Sequence, residues 1–91
     1  MSDKNEEIRI LMLDRGHVLV GRVSLHPDLA FHWRVTSART IRQWGTTRGL
    51  AQLVSGPTKD TVLDDPANET IGFRAVLRIL DASADGWEKY L

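Results

Sequence analysis

Residues 8–25 read Ile-Arg-Ile-Leu-Met-Leu-Asp-Arg-Gly-His-Val-Leu-Val-Gly-Arg-Val-Ser-Leu, two runs of strand formers joined by a turn. The first run spans Ile8 to Leu13, and Asp14-Arg15-Gly16 then offers turn chemistry with a glycine free to take positive φ. In the second, Leu19, Val23 and Leu25 share one face with Gly21 between them, while Val20, Arg22 and Ser24 point the other way. The stretch predicts a β-hairpin, and the rest of the chain is read around it. His26-Pro27-Asp28 ends it, because proline cannot donate to a central ladder. Phe31, Trp33 and Val35 then alternate with His32, Arg34 and Thr36, the period of a third strand that buries Trp33.

Ser37 to Trp44 reads as extended or irregular. From Thr46 the spacing of Leu50, Leu53 and Val54 turns helical, predicting a short helix at about 47–54 with Thr46 or Thr47 as N-cap and Gly56-Pro57 as stop. Residues 56–68 read as a long loop. Ile71, Phe73, Ala75, Leu77 and Ile79 alternate with Gly72, Arg74, Val76, Arg78 and Leu80, which predicts a central strand with the first set inside. Asp85 stands three residues before Glu88, as in a capping box, so the tail is expected to form one helical turn that docks Trp87. The expected organisation is a polar tail over 1–7, one β-rich domain over 8–82 and a C-terminal turn or short helix over 83–91. The fold class is mainly β (β-rich α+β): a small antiparallel roll or SH3-like barrel of about four or five strands with one short helix.

With 91 residues, the chain holds one compact core, and a large catalytic cleft would compete with it. Zero cysteines exclude thiolate nucleophiles and cysteine metal sites and favour a reducing compartment. The polar start and the lack of any 18-residue apolar run predict a cytoplasmic protein without a membrane span. Formal charge balances overall, yet residues 1–14 carry two bases and four acids, residues 15–59 seven and one, and residues 60–91 three and seven. A basic middle and an acidic end either neutralise each other, within the fold or between subunits, or expose the middle to an anionic partner. Unprotected edge strands in so small a sheet favour a homo-oligomer.

Neither the triphosphate-wrapping nor the dinucleotide-binding glycine motif is present. Gly45-Thr-Thr-Arg and Gly56-Pro-Thr-Lys are nevertheless anion-compatible around a predicted helix start. Arg39, Arg42, Trp44, Thr46, Thr47, Arg48, Thr58 and Lys59 are therefore the candidate contacts for a ligand or partner. Nine arginines against three lysines favour bidentate contacts to carboxylate or phosphate. Arg34, Arg74 and Arg78, with an exposed aromatic, form the alternative set for nucleic acid. His17, His26 and His32 lack metal-ligand spacing, and Asp64, Asp65 and Glu69 lack the regularity of a calcium loop. The expectation is no catalytic residue, no metal and no cofactor.

The Ile41-Arg42-Gln-Trp44-Gly45-Thr-Thr-Arg-Gly49-Leu50 stretch, with Gly56-Pro57-Thr58 and Thr61-Val-Leu-Asp64, resembles a family of small phage and prophage proteins over most of residues 8–80. The resemblance implies an accessory protein and brings no catalytic residues with it. The opening strand order also resembles SH3-like and Sm-like barrels at the level of fold. The resulting expectation is a non-catalytic phage or prophage accessory protein that binds and occupies a host factor or anionic small molecule, with a possible counter-defence role. A nucleic-acid-binding barrel and a structural or virion assembly component are the alternatives.

Overall fold

The computed structural model describes residues 6–91, so residues 1–5 of the predicted polar tail lie outside the described residues. Strands β1 (Glu7–Leu13) and β2 (Val18–Leu25) form the predicted antiparallel hairpin, pairing Ile10 with Val20 and Leu11 with Leu19. A 3-10 turn at Asp14–Gly16 joins them, with both Arg15 and Gly16 at positive φ. Strand β3 (His32–Gln43) pairs with β2 and absorbs the segment read as extended or irregular. Ser37, at φ 54°, marks a bulge in this long strand. The extra residue lets Val35 and Ala38, three positions apart, face the same core.

The alternating run over 71–80 is not one central strand. β5 (Ala67–Gly72) pairs with the first half of β3, the chain turns through a 3-10 corner at Phe73–Ala75, and β6 (Val76–Asp81) pairs with β1 at the opposite edge. A two-residue strand, β4 (Val62–Leu63), lies beside the end of β3 within the segment read as a loop. The order β6-β1-β2-β3-β5, with its ends joined by the corner, rolls the sheet up. The result is a small β-rich roll of six strands, two more than the lower expectation. The pairing of β6 with β1 shifts by one residue between Val76 and Arg78, and Ile79 stands opposite Leu11, on the same face as Ile71. Ile71 is buried as expected, but Leu77 and Ile79 are 62% and 38% exposed.

The sheet is buried on both faces. Leu11, Leu19, Val23, Val35, Ala38 and Ile71 pack on the side enclosed by β5 and the corner. Ile8, Ile10, Val18, Val20 and Ile41 pack on the other side, beneath Leu50, Leu53 and Trp87. Double burial explains the uninterrupted Val18-Leu19-Val20, since a one-sided strand would alternate. Gly21 lies where a Cβ would press on Val35, so only glycine lets β2 and β3 approach so closely.

Two short elements cover the second face. The predicted helix at 47–54 is a 3-10 helix at Leu50–Ser55, and neither Thr46 nor Thr47 caps it. Gly49, at φ 92°, breaks the helical path, and the Gln52 side chain instead accepts from the Thr47 and Arg48 N–H groups at 3.0 and 2.9 Å. The tail forms α1 (Ala84–Trp87), capped by Ser83 rather than Asp85. The Trp87 Nε1–H donates to the Leu53 carbonyl at 2.7 Å and the Ser83 N–H to the Val54 carbonyl at 2.8 Å, joining the two. No described helix is long and apolar enough to cross a membrane.

Candidate functional site

Most of the contact set expected around the 3-10 helix serves the fold. The Arg39 guanidinium donates to the Asp64 carbonyl at 2.7 Å and to the Tyr90 carbonyl at 3.0 Å. Arg42 meets the Asp64 carboxylate at 2.8 Å. The Thr58 hydroxyl donates to the Gly45 carbonyl and the Thr61 hydroxyl to the Trp44 carbonyl, both at 2.7 Å. Trp44 is half-buried against the second core. The backbone donors that would greet an anion at Thr47 and Arg48 already have Gln52 as acceptor. Thr46 is half-buried, whereas Arg48 and Lys59 are exposed; Arg48 borders a cavity of about 240 Å³ with Ala51, Gln52 and Ser55. The glycines and threonines that look anion-compatible in sequence lock residues 44–61 against one another.

A different surface gathers at the turn between β2 and β3. There the His26 ring nitrogen accepts from the Asp28 and Leu29 N–H groups at 3.1 and 3.0 Å, and the His26 N–H donates to the His32 carbonyl at 3.0 Å. The turn ends on Phe31, expected inside with Trp33 and Val35 but 76% exposed at φ 61°. Its neighbour Trp33 is half-buried rather than enclosed. A non-glycine residue in the left-handed region costs about 1–2 kcal/mol, so the turn holds an aromatic outward against its own backbone preference. The Phe73 N–H donates to the Phe31 carbonyl at 2.9 Å, fixing the corner beside the turn.

That corner completes an aromatic row. Phe73 meets Phe31 edge-on at 6.2 Å between ring centroids and Trp33 at 4.8 Å with a 41° tilt. Ala30, Phe31, His32, Phe73 and Arg74 line a cleft of about 470 Å³. On the other side of Phe73, a shallower groove of about 270 Å³ runs along Trp33, Leu77, Arg78 and Ile79. Arg74 and Arg78 are exposed and form no salt bridge among the described residues. The exposed Phe31 ring beside a free guanidinium can hold a planar group and an anion together.

Two of the three arginines set apart for nucleic acid, Arg74 and Arg78, thus border the aromatic row. Arg34 lies on β3 opposite Thr70, next along the strand from Trp33 and so on the other face. Phe31 and Phe73 were missed because strict alternation assigned both to the core. The one sequence sign against that assignment is Gly72 inside an otherwise apolar alternating run. Among the described residues no group of three His, Asp or Glu side chains is placed to hold a metal ion. The chain matches no family model, and comparison with curated proteins and with solved structures finds no match either.

Proposed function

We propose that the chain is a non-catalytic binding protein that works by occupying its partner, as a phage or prophage accessory protein acting on a host factor or anionic small molecule would. The partner presents an anion beside a planar ring, and it seats in the cleft of Phe31, Phe73 and Arg74. The observation that carries this reading is Phe31, held 76% exposed in a strained backbone conformation next to an unpaired arginine. Strain of this kind persists where the surroundings enforce it and concentrates at ligand clamps. A nucleotide has both required features. The protein works as an oligomer of identical copies, in keeping with the exposed Leu77 and Ile79.

A single-stranded nucleic acid is the second reading, favoured by Arg78 lying one groove further along the same row. It would stack successive bases on the rings, and its affinity would fall steeply with added salt. Native mass spectrometry of gently purified wild type and Arg74→Ala tests both. The expected result is an added mass on the wild type that disappears on denaturation and is absent from the variant, of nucleotide or oligonucleotide size. Equal added mass on both proteins would overturn the site, and a bare wild type that also fails to bind added nucleotides or a short single strand would overturn the reading.

A further inference from the structure

The histidines at the two ends of the β2–β3 turn use their rings in opposite ways. His26 Nδ1 accepts from the Asp28 and Leu29 N–H groups, so its acceptor is spent on the turn. His32 Nδ1 lies 2.7 Å from the Ala30 carbonyl, and a carbonyl can only accept. The His32 proton therefore sits on Nδ1, and in the neutral ring Nε2 carries the lone pair. Among the described residues Nε2 has no hydrogen-bond partner and forms no salt bridge. His32 lines the cleft with Ala30, Phe31, Phe73 and Arg74, where Arg74 can only donate, so Nε2 is the side-chain acceptor of that set. Gly72 keeps the space beside it. Gly72 pairs with His32 across β5 and β3, and a Cβ there would stand 3.8 Å from both Cδ2 and Nε2, in ordinary contact with the ring edge. At φ −67° and ψ 145° its backbone suits any residue, so no turn requires glycine at this position. The missing side chain leaves the acceptor edge of the imidazole open.

We infer that His32 selects the planar ring seated in the cleft, its Nε2 accepting a hydrogen bond from an N–H group on the ring's edge. The site then takes a base with an edge donor, such as the amino group of adenine or cytosine, over a ring of the same shape without one. This rests on the reading of the cleft as the seat of a nucleotide, and it names the residue that chooses among nucleotides. Stacking on Phe31 tolerates any planar ring, because every base has a π-face. Arg74 reads only the anion. Nε2 supplies the discrimination that both lack, since a ring without the donor leaves a desolvated acceptor unpaired.

Calorimetry at about pH 8, where imidazoles are neutral, compares two pairs of ligands that differ only in the amino group. They are adenosine and purine riboside 5′-monophosphates, and cytidine and pyrimidin-2-one riboside 5′-monophosphates. Wild type is expected to prefer the amino-bearing member of at least one pair by about threefold to tenfold, the range of one net hydrogen bond. His32→Phe, checked for its fold by circular dichroism, is expected to bind both members of that pair alike. Gly72→Ala keeps the bond to Ala30 and covers Nε2, so it narrows the preference and tests the same point if His32→Phe does not fold. Equal binding within both pairs by wild type, or a preference that both variants retain, would overturn the role of His32 and leave the nucleotide reading standing. A wild type that binds none of the four would overturn that reading and this inference together. Nitrogen magnetic resonance of the imidazoles gives a readout that needs no ligand: the proton is expected on Nδ1 of His32 and on Nε2 of His26. A His32 proton on Nε2 instead would overturn the inference whatever the cleft binds.

Discussion

Replacing Trp87 by alanine tests whether the tail and the 44–63 segment form an integral second layer over the sheet. The side chain is fully buried, and its Nε1–H is bonded to the Leu53 carbonyl at 2.7 Å. A buried tryptophan removes about 200 Å² from water, near 5 kcal/mol at 25 cal/mol per Å², in line with the roughly 3–5 kcal/mol measured for large aromatic truncations. The Leu53 carbonyl, left without its donor, adds a penalty of about 1 kcal/mol or more. Against a total stability of about 5–15 kcal/mol, a loss of about 5 kcal/mol brings the domain close to unfolding at room temperature, and lowers its melting temperature by roughly 20–30 °C. Trp87→Phe keeps a ring and loses the donor, so about 2 kcal/mol is expected. Trp33→Ala, at a half-buried position, is expected to cost about 1–2 kcal/mol. Urea unfolding followed by far-ultraviolet circular dichroism reads all three without depending on tryptophan emission. A Trp87→Ala protein within 1 kcal/mol of wild type would refute the two-layer packing.

Gly86 packs so closely on the Ser55 carbonyl that an added Cβ would overlap it; Gly86→Ala is expected to cost about 2 kcal/mol in the same assay, as strained overpacking does. Arg39→Ala should cost about 1.5–3 kcal/mol, because its guanidinium serves two carbonyls, whereas Arg42→Ala, whose side chain is 72% exposed in its ion pair with Asp64, should change stability by less than about 1 kcal/mol. Phe31→Gly removes both the ring and the left-handed strain; it should stay within about 1 kcal/mol of wild type and abolish nucleotide binding measured by calorimetry. A Phe31→Gly protein that binds as before would place the partner elsewhere.

The hairpin and the β-rich class were legible because two runs of strand formers flank a glycine turn over Ile8–Leu25, and the alternation from Trp33 to Thr36 marks the start of β3. The corner at Phe73–Ala75 was not, because apolar residues continue to alternate on both sides of it. That one missed turn hid the exposure of Leu77 and Ile79 and the meeting of Phe73 with Phe31. The residues around Gly45 and Thr58 stand out in sequence as candidate ligand contacts. In the structure the Thr58 and Thr61 hydroxyl groups satisfy backbone carbonyls, a demand that looks the same in sequence as a demand for anion binding. Helical spacing over Leu50–Val54 located a real element and overestimated its length, since Gly49 at φ 92° starts it three residues late.

The most direct test of the proposed site is an amide chemical-shift titration of isotope-labelled protein with a mixture of ribonucleoside 5′-monophosphates and, separately, a short single strand. Saturable shifts concentrated at residues 30–33 and 72–75, and lost in Arg74→Ala, are the predicted result. Shifts centred on residues 45–48 and 58–59, or none with either probe, would contradict it.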